Sequence, residues 1–189
     1  MPSILLTPPA IEPLSLAEAK AWLRVEHDDD DGVIAALIAG ARLHVEAQTR
    51  RALITQSWRL VLDGWPQRGR IEVRPAPLRT LIAARVFDPD GMAHDVDTQA
   101  FVPDLANAAL VFALWALPLP GRIAAGVELD VTVGYGDAAA DVPAPLRQAI
   151  RVLIAHWYEN RALVTTGPNF SALPASVSAL LAPYRMVAL

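Results

Sequence analysis

Apolar residues along this chain change their spacing twice, and that change dictates helices at both ends with strands between them. Leu16, Ala19, Trp22 and Leu23 recur at three- and four-residue intervals, the period of a helix over residues 16–25. Val33, Ile34, Leu37, Ile38, Ala41 and Val45 repeat the pattern and predict a buried stripe on a second helix reaching about residue 51. From Ser57 the period drops to two: Trp58, Leu60 and Leu62 alternate with polar neighbours, as do Ile71 and Val73. Further strands are expected at residues 81–87, 101–102, 109–114 and 127–133. After Gly134-Tyr135-Gly136 the helical period returns, with Leu146, Ile150, Leu153, Ile154 and Trp157 on one face of a helix running to about residue 163. A short helix over 175–181 follows.

Local signals punctuate this pattern. Ser15 and Glu18 have capping-box spacing at the start of the first helix. Asp28, Asp29, Asp30, Asp31 and Gly32 separate the first two helices, and acids there suit the N-terminal end of a helix dipole. Asp88-Pro89-Asp90-Gly91 is a strong turn. Pro66, Pro75, Pro77, Pro118 and Pro120 fall between strands, where no ladder hydrogen bond is lost. The expected fold is α+β: a bundle of about four helices from residues 1–56 and 137–189, with a small antiparallel β subdomain inserted at 57–136.

Composition excludes several function classes. The 189 residues contain no cysteine, so disulfides, thiolate nucleophiles and cysteine zinc sites are absent. No apolar run approaches the roughly 20 residues that span a bilayer, and no basic region precedes the first apolar stretch. No membrane association is expected, and the cytoplasm, or a particle assembled there, is the expected location. No Gly-x-Ser-x-Gly elbow, Walker loop or complete dinucleotide fingerprint occurs. His156 and Glu159 lie one helical turn apart without a second pair to complete a metal site, and His27, His44 and His94 are scattered. No catalytic residue, metal or cofactor is expected.

The net charge of −4 hides alternating blocks. Residues 1–41 hold two basic and seven acidic groups, residues 42–85 nine arginines and three acids, and residues 86–141 one arginine and nine acids. Such blocks can pair within the fold or join neighbouring subunits head to tail. The acidic total argues against a general nucleic-acid binder. Of the sixteen basic residues only Lys20 is lysine, a bias that fits a GC-rich genome. Trp22, Trp58, Trp65, Trp115 and Trp157 are expected as core anchors. Tyr158, Arg161, Tyr184 and Arg185 carry the residue types enriched where proteins meet.

Read in order, Pro13-Leu14-Ser15-Leu16-Ala17-Glu18-Ala19-Lys20, Leu23-Arg24-Val25, the acidic turn and Arg51-Ala52-Leu53-Ile54-Thr55-Gln56-Ser57-Trp58 form a recognisable succession. It continues through Val131-Thr132-Val133-Gly134-Tyr135-Gly136, His156-Trp157-Tyr158-Glu159-Asn160-Arg161 and Leu180-Leu181-Ala182-Pro183-Tyr184-Arg185. This succession resembles phage head–tail connector proteins, the gp6-like adaptors of HK97-type phages and the related phiE125 gp8-like family. Residues 66–119 match loosely. The resemblance implies a structural adaptor: a ring, usually of 12 copies, beneath the portal protein at the particle neck. Such a ring extends the DNA channel without sequence-specific binding and receives stopper or tail proteins. Similar proteins occur in prophages and gene transfer agents. It further implies portal or subunit contacts through Tyr158, Arg161, Phe170, Tyr184, Arg185 and Leu189, with residues 165–189 ordering on a partner. A stopper or tail-terminator ring protein is the alternative within the same particle, and a small-molecule-binding module the alternative outside it.

Overall fold

The structure, a computed structural model, describes residues 2–160 and 174–186. It is α+β, with four α-helices and antiparallel strands in two sheets among the described residues. The chain divides into two compact units, one of Met1–Ala10 and Thr55–Tyr135, the other of Ile11–Ile54 and Gly136–Leu189.

In the helical unit, α1 (Leu16–Leu23) begins at Ser15 with the reciprocal cap that the spacing promised. The Ser15 hydroxyl accepts from the Glu18 amide at 3.2 Å, and the Glu18 carboxylate accepts from the Ser15 amide at 3.0 Å. The backbone bond from Ser15, reinforced by its hydroxyl, holds the Glu18 carboxyl below its ordinary range. Arg24 ends the helix in the left-handed region at φ 58°, a position more often given to glycine. Only Ala19 of α1 is buried; Trp22, expected in the stripe, is 46% exposed. A helix of eight residues has too little length to bury its whole apolar face.

The second helix, α2 (Asp31–Thr49), buries Ile34, Ile38, Ala41 and Val45. Val33 faces solvent and Leu37 is half-buried, so the core stripe is narrower than the six residues expected. It is extended instead by two polar groups whose needs are met. Arg42 donates to Glu12 at 2.8 Å and to Glu46 at 2.9 Å, and the Thr49 hydroxyl donates to the Val45 carbonyl at 2.7 Å. Next, α3 (Ala144–Glu159) accepts Pro145 in its first turn and buries Leu146, Ala149, Ile150, Leu153 and Ile154. It packs on α2 and on α4 (Ala175–Leu181), which contributes Val177 and Leu181. Each large aliphatic side chain fully buried here contributes about 1.5–3 kcal/mol, which makes this seam the unit's main source of stability. The expected extension of α3 to residue 163 falls outside the described residues.

The β unit holds a five-stranded antiparallel sheet in the order β1 (Ser3–Thr7), β2 (Gln56–Leu62), β8 (Val127–Val133), β4 (Leu78–Phe87) and β5 (Ala93–Val96). Its central strand β8 aligns Leu129 with Leu60 of β2 and Ala84 of β4, so one face is aliphatic and buried. A second sheet has the order β3 (Arg70–Glu72), β7 (Ala109–Phe112), β6 (Phe101–Asp104). Phe101 and Phe112 lie directly opposite each other in β6 and β7, and Trp65 completes a three-ring cluster with centroids 5.5–5.7 Å apart. The Asp88–Gly91 turn joins β4 to β5: the Gly91 amide donates to the Asp88 carbonyl at 3.1 Å, with Gly91 at φ 86°.

Two strands differ from the sequence reading. Residues 3–7, expected with the helical part, form an edge strand paired to β2 through Ser3–Leu60, Ile4–Arg59 and Leu5–Trp58. Both faces of β1 are exposed, so no alternation marks it. Strand β5 escapes for a related reason, since Val96 alone of its four residues is buried.

Candidate assembly surfaces

The acidic run is tied down: the Lys20 ammonium donates to Asp28 at 2.6 Å and to Asp31 at 2.7 Å, which raises the lysine's pKa and lowers that of Asp28. Among the described residues, no group of three or more His, Cys, Asp or Glu side chains could hold a metal. None of the described helices is long and apolar enough to cross a membrane.

Opposite charges from the second and third blocks meet on the polar face of the five-stranded sheet. Asp130, in the central strand, lies between two arginines on the strands beside it. Arg59 of β2 donates through Nε to Oδ1 at 2.7 Å and through Nη2 to Oδ2 at 3.0 Å. Arg85 of β4 donates to Oδ2 at 2.9 Å. Glu128, two residues earlier on the same face, adds a 3.2 Å contact to Arg59. Asp130 is only 5% exposed, and the Arg59 hydrogen bonds, opposed by burial and aided by Arg85, hold its carboxyl below the ordinary range. The charge blocks therefore pair within the fold at this point.

At the end of α3, which carries the His156–Arg161 signature, Trp157 and Tyr158 are half-buried while Glu159 and Asn160 are exposed. Tyr158 donates to the carboxylate of Asp30, at the start of α2, at 2.5 Å. Trp157 is half-buried, stands edge-on to His44 at 6.0 Å and covers Gly40, where an added Cβ would lie 3.7 Å from its ring. The Asn160 side chain closes the helix by donating to the His156 carbonyl at 2.7 Å. Tyr158 thus joins the two longest helices. Tyr158→Phe should lower unfolding free energy by about 2 kcal/mol, the range of a hydrogen bond to a charged acceptor; chemical denaturation at pH 7 measures it.

Of the other expected contact residues, Tyr184 is half-buried and its carbonyl accepts from Arg51 Nε at 2.7 Å. Arg185 is exposed, with Nη2 3.5 Å from the Gln48 amide oxygen. The Met186 amide donates to the Thr49 carbonyl at 3.3 Å, so this segment runs along the end of α2. Arg161, Phe170 and Leu189 lie outside the described residues.

The structure instead exposes apolar side chains that periodicity had not marked as surface. Trp115, expected as a core anchor, is 90% exposed. It stands beside Val102 and Val111, which face each other across β6 and β7, and the three line one open groove with Arg68. The loop that carries Trp115 is pinned: Trp65 Nε1 donates to the Pro118 carbonyl at 2.7 Å, and the Gly121 amide donates to the Phe87 carbonyl at 2.8 Å. Leu119 and Ile123 also project from it. A second exposed set, Ile4, Leu5 and Leu6, makes up β1.

Comparisons with known proteins agree with one another. Residues 13–84 match the family model described as phage gp6-like head-tail connector protein. A solved chain in the neck of an empty gene transfer agent particle, computed with C6 symmetry, is 30% identical, with a TM-score of 0.81 over 100% of this chain and 97% of that one. A chain in the virion of a native gene transfer agent particle is 30% identical, with a TM-score of 0.80 over the same shares. One in the neck of a native particle, computed with C12 symmetry, is 28% identical, with a TM-score of 0.71 over 98% and 97% of the two chains. No curated protein sequence matches. The residue succession, the full-length likeness and the family model lead to one statement: this chain belongs to the phage gp6-like head–tail connector family and is a structural adaptor of the capsid–tail junction.

Proposed function

We propose that copies of this chain form a closed ring, of 12 subunits, in the neck of a phage-like particle, beneath the portal protein and above stopper or tail proteins. The ring extends the channel through which DNA passes and makes no sequence-specific contact with it. It acts by position and not by catalysis. The observation that carries this reading is the likeness along the whole chain to a subunit of a gene transfer agent neck. The acidic balance of the chain supports a channel that does not grip a polyanion. Assembly in the bacterial cytoplasm belongs to the same proposal.

Portal contact is assigned to the end of the chain: Tyr184 and Arg185, together with Arg161, Phe170 and Leu189. Tyr158 is left out of that contact, since its hydroxyl is engaged by Asp30 at the other end of α2. Truncation after residue 165 would remove α4 and with it the buried Val177 and Leu181. Arg185→Glu changes only an exposed charge. It should weaken binding to purified portal at least about tenfold, as loss of a well-placed interface arginine does, with an unchanged thermal midpoint. Mass measurements of the mixture check this, and wild-type affinity in the variant would sink the assignment.

A further inference from the structure

Arg42, Arg59, Arg70, Arg74, Arg85 and Arg151 each meet a carboxylate at 2.7–3.6 Å. The end of α2 breaks that habit. Arg50 closes the helix in the left-handed region at φ 55° and is exposed. Arg51 donates through Nε to the Tyr184 carbonyl at 2.7 Å, and Arg185 places Nη2 3.5 Å from the Gln48 amide oxygen. With the Met186 amide donating to the Thr49 carbonyl, residues 184–186 run along the helix end and set Arg185 beside Arg50 and Arg51. Among the described residues none of the three pairs with a carboxylate, and Arg51 and Arg185 reach uncharged oxygens. Residues 47–62 and 160–189 contain no Asp or Glu at all.

A helix C-terminus carries about half a negative charge, which one arginine offsets and three exceed. Gathering three guanidinium groups at one helix end is repulsive unless an anion relieves it. Each group presents a planar fork of donors matched to the two oxygens of a carboxylate. Exposed Pro183 and half-buried Tyr184 adjoin the cluster, and tyrosine with arginine is the composition of a protein–protein contact. The densest acidic run of the chain itself is engaged elsewhere: Asp28 and Asp31 hold Lys20, and Asp30 accepts from Tyr158. Phosphate would suit the same forks, but a chain of net charge −4 is a poor holder of DNA.

We propose that Arg50, Arg51 and Arg185 form one site for a carboxylate-rich surface of the portal protein. The inference rests on the portal contact proposed above; it adds Arg50 and Arg51 to that contact and gives the partner's chemistry. The same charges orient the subunit. The acidic run lies at the start of α2, about 28 Å away along its 19 residues. A subunit approaching an acidic portal surface by that end is repelled, and one approaching by the arginine end is drawn in.

Binding of the full chain to purified portal is measured over a salt series. Raising sodium chloride from about 0.05 M to about 0.5 M should weaken it at least about tenfold, as screening of exposed charges requires. Arg50→Gln combined with Arg185→Gln should weaken binding at low salt by about the same factor and flatten the salt dependence, with an unchanged thermal midpoint. Should the double variant fail to fold, Arg50→Gln alone, at an exposed position, gives the same readout with a smaller effect. Affinity of the unaltered chain that ignores salt would overturn the site and leave the portal contact standing. A variant with wild-type affinity, or a weaker one with an unchanged salt dependence, would overturn it as well. Portal binding kept while duplex DNA binding is lost would assign the arginines to phosphate instead. Salt-sensitive oligomers of the chain alone, lost in the variant that still binds portal, would assign them to a second copy. An unaltered chain that binds no portal at any salt would remove the reading beneath.

Discussion

Replacing Asp130 by alanine is expected to cost about 3 kcal/mol of unfolding free energy at pH 7, because it leaves two arginines facing each other without the carboxylate between them. Arg59 and Arg85 approach from opposite strands, and three hydrogen bonds converge on one side chain that solvent hardly reaches. Asp130→Asn keeps the shape and one acceptor, and should cost roughly half as much. The pH dependence has a definite sign. Arg59 and Arg85 hold the folded carboxyl below its ordinary range, so the folded state favours the ionised form. The contribution is therefore fully present above the unfolded value of about 3.9 and is lost as pH falls through the folded value. Urea titrations at pH 7 and at pH 3 should show the wild type converging on Asp130→Asn in acid. A gap that stays constant with pH would show that packing, and not charge, holds the site.

Trp65→Ala should be comparably damaging, at about 3–5 kcal/mol, as for other buried tryptophans. It breaks the ring cluster with Phe101 and Phe112 and leaves the Pro118 carbonyl without its donor. The milder Trp65→Phe isolates the second effect, since it keeps a ring but removes the indole N–H. Amide hydrogen exchange across residues 114–119 should then speed up locally, while β2 and β8 keep their protection. Uniform loss of protection would mean that the cluster holds the whole unit and not the loop alone.

Much of the helical unit was legible from residue spacing, since a helix is decided by neighbours within one turn. The Ser15–Glu18 cap, the acidic start of α2, the proline in the first turn of α3 and four residues of its core stripe, Leu146, Ile150, Leu153 and Ile154, follow from contacts between residues three or four apart. Trp157, expected on that stripe, is half-buried, and Ala149 takes the fifth buried place. The strands of the β unit were legible where one face is buried, as in β2 and β8, and illegible where it is not, as in β1 and β5. Tryptophan identity misled, because a large apolar ring is equally suited to a core and to an interface. Trp65 is buried and Trp115 is exposed, though both are the same residue type. The nearby Pro118 and Pro120 and the lack of any period around Trp115 were the signals that it lay outside a strand, and it sits in a short 3-10 turn, Leu114–Ala116.

By itself, then, the sequence determined the α+β class, the caps and turns, and the membership that a long succession of motifs carries. The tertiary structure decided which distant residues meet. Strand register brought Arg59, Arg85 and Asp130 together from positions up to 71 residues apart. Helix packing set Tyr158 on Asp30 across 128 residues. Such pairings depend on how whole elements align, and nothing in the local order of residues encodes that alignment. The exposure of β1 and of Trp115 is decided the same way, by what the rest of the fold leaves uncovered.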